Sequence, residues 1–117
     1  MANTFKNRTL RAVGTSPVDV GADVDSNTQV TLIGMTLANV TSGVISVTVQ
    51  LINTDAASSP PVPVTTHIVK DAPIPTGGSL IVVGGDQKIV LLEEDKITIT
   101  SNTAASVDVV MSFLEIT

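Results

Sequence analysis

Apolar and polar residues alternate with a period of two along most of the chain, which is the spacing of strands rather than helices. In 45–51, Ile45, Val47, Val49 and Leu51 alternate with Ser46, Thr48 and Gln50, predicting a strand with one buried face. In 107–114, Val107, Val109, Met111 and Phe113 alternate with Asp108, Val110, Ser112 and Leu114. Apolar residues occupy both faces there, so the pattern predicts a covered outer face as well as a buried inner one. Residues 28–40 read as a longer strand, with Ile33, Met35 and Leu37 on one side and Val30 and Leu32 on the other. Gly34 inside it marks a bulge or a close backbone approach.

Further strands are expected at 4–13, 64–70, 79–83, 88–92 and 96–101, separated by turn chemistry such as "NVTSG", "DAPIPTGG" and "NTAAS". "VVGGDQKIV" predicts a tight hairpin, because Gly84 and Gly85 can take positive φ. Pro60, Pro61 and Pro63 make 56–63 a stiff exposed loop that no central strand accommodates. About eight short strands without a helix predict an all-β fold, a single β-sandwich of jelly-roll or immunoglobulin-like type. The 117 residues suit one domain, read as a basic N-terminal arm or edge strand at 1–18 and a sandwich at 19–117.

Composition narrows the function more than it names one. Only Phe5 and Phe113 are aromatic, and Trp and Tyr are absent, so the core falls to Val, Ile, Leu and Ala. Such a core gains from burying more surface against neighbours, and a homo-oligomer, dimer or trimer, is expected. Without Cys there is no disulfide, thiol nucleophile or thiolate metal site. A pI near 4.4 argues against nucleic-acid binding. No stretch approaches the ~18 apolar residues of a membrane helix, and no apolar run follows the basic opening as a signal peptide requires.

The candidate reactive groups read as structural. His67 is the sole histidine and sits mid-strand, where a solvated or cross-strand-paired role is expected; no Gly-x-Ser-x-Gly elbow accompanies it. Asp23, Asp25 and Asn27 open like a calcium loop, but Thr28 and Gly34 occupy the sixth and twelfth places where Gly and Glu are needed. Glu93, Glu94 and Asp95 fall in a strand-to-strand turn, and "GGDQK" lacks the following helix of a phosphate loop. Sequons occur at Asn7 and Asn39. The expectation is a protein that is not an enzyme and has no cofactor.

Charge is distributed unevenly. Lys6, Arg8 and Arg11, half of the six Lys and Arg, lie in "NTFKNRTLRAV", ahead of all eleven acids. One reading is an edge strand whose cations discourage aggregation and pair with the domain's own acids. The other is an arm that docks on an acidic neighbour, with Lys6, Arg8 and Arg11 making charge-assisted hydrogen bonds while Phe5 and Leu10 fill small pockets.

The run "VKDAPIPTGGSLIVVGGDQKIVLLEEDKITITSNTAASVDVVMSFLEIT", with "MANTFKN" and "TLIGMTLANVTSGVISVTV", resembles small virion structural proteins of tailed bacteriophages, those of marine and cyanobacterial hosts above all. The resemblance implies a small, all-β, non-enzymatic part of a virion, present in many copies. A capsid decoration or cement protein partnered by the major capsid protein comes first. A neck, tail or fibre component is the alternative. A carbohydrate-binding module of the host surface comes third, since the Trp and Tyr platforms of sugar sites are missing.

Overall fold

The computed structural model describes residues 3–20, 24, 27–55, 62–84 and 87–117. The alternating segments form strands β1 (Asn3–Val13), β2 (Val18–Asp19), β3 (Gln29–Asn39), β4 (Ile45–Asp55), β5 (Val62–Ile74), β6 (Ser79–Val83), β7 (Ile89–Leu91), β8 (Lys96–Ser101) and β9 (Val107–Ile116). Sheet A runs β1-β9-β3-β6, with β7 also paired to β3, and sheet B runs β2-β8-β4-β5. Every pairing is antiparallel.

The connectivity is that of a chain folded back on itself and then wrapped. β4 pairs with β5, β3 with β6 and β7, β2 with β8, and β1 with β9, so the partners are nested like the two legs of one long ribbon. The β3–β9 and β4–β8 ladders close the wrap into two layers. Of the two sandwich types compatible with the sequence, this strand order is the jelly roll. The ribbon reverses between Asp55 and Val62, which pair across β4 and β5. The Pro-rich loop expected there lies, apart from Val62 and Pro63, outside the described residues. Pro63 and Pro73 fall in β5, an edge strand, the place in a sheet where Pro is tolerated.

Two expectations require correction. "VVGGDQKIV" does not turn the chain back: β6 and β7 lie end to end along the same side of β3. They line up as two segments of one strand position, Ser79–Val83 and Ile89–Leu91, on either side of the point where β3 itself bulges. The second correction concerns β3. The register with β9 slips between Leu32 and Gly34, so Gly34 does mark a bulge. That bulge changes the parity of the strand, and Val30, Leu32, Met35 and Leu37 all reach the same core instead of opposite faces.

The core between the sheets is almost entirely aliphatic. Leu32, Leu37, Val107 and Val109 of sheet A meet Ile45, Val47, Val49, Ile97 and Ile99 of sheet B, and Phe113 is its single aromatic. At one end, buried Asn39 ties the β3–β4 and β5–β6 connections together. Its Nδ2 donates to the carbonyls of Gly43 (2.8 Å), Ile74 (3.0 Å) and Pro75 (3.2 Å), and its Oδ1 accepts from Thr41 N (2.9 Å). Nearby, Gly78 N donates to Pro75 O (2.9 Å) to close the turn from β5 to β6, and Gly77 supplies the positive φ of 69° which that turn requires.

Candidate functional site

The residues singled out for chemistry are absorbed into turns and ladders. His67 pairs across strands with Gln50, whose side-chain amide donates to the imidazole Nε2 over 3.1 Å. Gln50 Oε1 in turn accepts from Thr98 Oγ1 at 3.4 Å, making a polar rung across β5, β4 and β8. Asp95 is buried and holds its own turn, its Oδ2 accepting from Leu92 N (2.9 Å) and its N–H donating to Leu92 O (3.0 Å). Glu93 Oε1 accepts from Asn27 N (2.9 Å), and Glu94 takes the positive φ of that turn, 69°. Asp23 and Asp25 lie outside the described residues. Among the described residues, no three His, Asp or Glu side chains converge as metal ligands, and no helix is long and apolar enough to cross a membrane.

The five N-terminal residues proposed to bind a partner all lie on β1, the edge strand of sheet A. Residues directly opposite in an antiparallel ladder share a face. Lys6 is opposite Phe113, Arg8 opposite Met111 and Leu10 opposite Val109, so these three stand on the inner side of the sheet. Phe5 is opposite Leu114 and stands on the back. Lys6 Nζ meets Glu115 Oε1 at 2.9 Å, and the Arg8 guanidinium lies 5.5 Å from the centroid of the Phe113 ring, a cation–π contact. Both cations therefore seal the β1 margin of the core. Behind Arg8, between the sheets, is a cleft of about 60 Å³, room for a water or two. Arg11 is exposed beside a bulge at which Ala12 takes φ 57° and donates its N–H to Asp108 Oδ1 (3.0 Å).

The strand periodicity hides a different feature, the contrast between the backs of the two sheets. Behind sheet B stand Thr48, Gln50, His67 and Thr98, with Lys96 facing Asp19 at 3.8 Å. Behind sheet A stand Phe5, Ile81, Val90 and Val110, which are 76%, 69%, 54% and 52% exposed. The cover predicted over the outer face of β9 is not supplied by any described element. The signal was present in sequence as the apolar residues at 110 and 114, but Phe5, Ile81 and Val90 join them only through the sheet order.

Similarities to known proteins lie at the level of fold. No protein-family model matches the chain, and no curated protein matches its sequence. Among solved structures it is similar to a chain of the T13 particle of infectious bursal disease virus (TM-score 0.53, 8% identity), covering 97% of this chain and 35% of that one. A second is the structure of the Gx strain of the same virus (TM-score 0.52, 13% identity), covering 96% of this chain and 33% of that one. The chain thus spans about one third of the length of the viral chains it matches.

Proposed function

We propose that the chain is a non-enzymatic structural protein of a tailed-bacteriophage virion, acting on the capsid surface as a decoration or cement protein. The observation that carries this reading is the jelly-roll likeness to a chain of an icosahedral virus particle over 97% of the sequence. The resemblance of the C-terminal half to small phage virion proteins points the same way. Its partners are the major capsid protein and further copies of itself.

The geometry suits such a role. Among the described residues the polar groups with catalytic potential are committed to turns and rungs, and the long β1 edge offers unpaired backbone to a neighbour. Along that edge Lys6, Arg8 and Arg11 present positive charge to an acidic partner surface, with Phe5 standing behind them. Because Lys6 and Arg8 already have partners within the chain, Arg11 is the cation most available to a neighbour.

Immunogold electron microscopy of purified virions tests the reading. Label spread over the heads, at hundreds of copies, is the expected result. Label confined to neck or tail would replace the cement role with that of a connector or fibre, and unlabelled particles would sink the virion reading. The contribution of β1 is better probed by Arg11→Glu than by deleting residues 2–11, since deletion would strip β9 of a whole ladder.

A further inference from the structure

We infer that the back of sheet A is a self-association surface, and that its occupant is the same face of a second copy of this chain. The inference deepens the virion reading by naming the surface through which copies meet, and rests on that reading only for the abundance of copies.

The face combines three properties. It exposes large apolar side chains, Phe5, Ile81, Val90 and Val110 on β1, β6, β7 and β9, among small uncharged ones such as Asn7, Thr9, Ser79 and Ser112. A shallow groove of about 250 Å³ runs beside Phe5, between Ile33 and Ser112. Among the described residues its charges lie towards the margins: Lys6 on the edge strand beside the groove, Asp108 and Arg11 at the corner of the β1 bulge, and Lys88 between β6 and β7.

Those properties select the occupant. The chain carries a net charge of −5, so two copies repel through most of their surface. They approach most readily where neither presents charge, and the centre of this face meets that condition on both sides at once. A basic partner would be drawn elsewhere, to the acids. The size is also sufficient. Four strand positions spaced ~4.8 Å apart and about ten residues at ~3.3 Å each give roughly 600 Å² per copy. Two such faces bury about 1,200 Å² in total, the lower bound of specific interfaces. Two twisted sheets stack in this way in any sandwich, their strands about 30° apart. The contact is isologous, each residue meeting the same patch on its partner.

The test is sedimentation equilibrium of the purified full chain over a range of concentrations, with three single-charge variants. Val110→Lys and Val90→Lys place a cation on the face from different strands. Thr100→Lys places the same cation on the back of sheet B. We expect reversible association of the wild type, weakened about tenfold or more by Val110→Lys and by Val90→Lys, with unchanged circular dichroism and melting. Thr100→Lys should associate like the wild type. A wild type that stays monomeric throughout overturns the inference, as does association untouched by whichever face variant remains folded. Because this readout uses no particles and immunogold labelling uses no association data, the failure of either proposal is told apart from the failure of the other.

Discussion

Sheets A and B meet water on very different terms. Their inner faces are alike at the centre, aliphatic and buried, but their backs are not. Sheet B turns out His67 and Gln50, hydrogen-bonded to each other and onward to buried Thr98, and an ion pair between Lys96 and Asp19. Sheet A turns out Ile81, Val90 and Val110. Their long edges differ as well. β5 slips register against β4 twice, and Asp71, at φ 50°, donates its N–H to Thr48 Oγ1 (3.1 Å). β1 stays in register with β9 from Asn3 to Leu10. Sheet B is therefore protected by irregularity and polarity, whereas sheet A relies on the cations of its edge strand. An exposed apolar back on one sheet only is the asymmetry on which the self-association proposal rests.

The largest effects should come from the core the two sheets share. Leu37→Ala in β3 and Ile99→Ala in β8 each remove a side chain with no exposed surface, and each should cost about 2–5 kcal/mol in urea unfolding. A single transition common to fluorescence-labelled sheet A and sheet B is expected; two separate transitions would mean that the sheets are independent units. Next is the tie between them. Asn39→Ala takes a donor from the buried carbonyl of Ile74, while Pro75 O keeps Gly78 N, and should destabilise by about 1–3 kcal/mol, read as a lower melting temperature.

Smaller changes separate the backs. Gln50→Leu deletes the centre of the polar rung and should cost about 0.5–1 kcal/mol, while Thr9→Val, opposite Val110 on the back of sheet A, should leave unfolding unchanged. If both substitutions were equally costly, the contrast drawn here would fail. Least of all, Lys6→Gln breaks a half-exposed ion pair with Glu115 and should change stability by less than about 1 kcal/mol, an effect that added salt erases.

The period-two pattern made most strands legible: 79–83 and 96–101 are β6 and β8, while 45–51 and 64–70 fall short of β4 and β5 by several residues. What it left out depends on partners distant in sequence. Gly84 and Gly85 carry good hairpin chemistry, yet β3 offers one continuous edge to both flanking segments, and ladder bonds to it outweigh a local turn. Gly34 announced a bulge, but only the register with β9 reveals that the bulge brings Val30 and Met35 onto one face. Two-residue β2 has too few positions to show any period. The five β1 residues were legible as a cluster. Their division, Lys6, Arg8 and Leu10 inward and Phe5 outward, follows from the alternation itself once the register with β9 says which face is inner.

The nested ribbon also sets an order in time. Its innermost pair, β4 and β5, closes a short loop, whereas β1 must find β9 about a hundred positions later, and longer loops cost more entropy to close. As the chain leaves the ribosome, β1 emerges long before its partner β9. Through that interval it is an unpaired strand of alternating residues, the kind that seeds aggregates. Half of the chain's cations sit on it, a gatekeeping pattern. Replacing Lys6, Arg8 and Arg11 together by Ser should therefore lower the yield of soluble protein on refolding far more than it lowers the melting temperature. Equal losses in both would assign these charges to the finished fold alone.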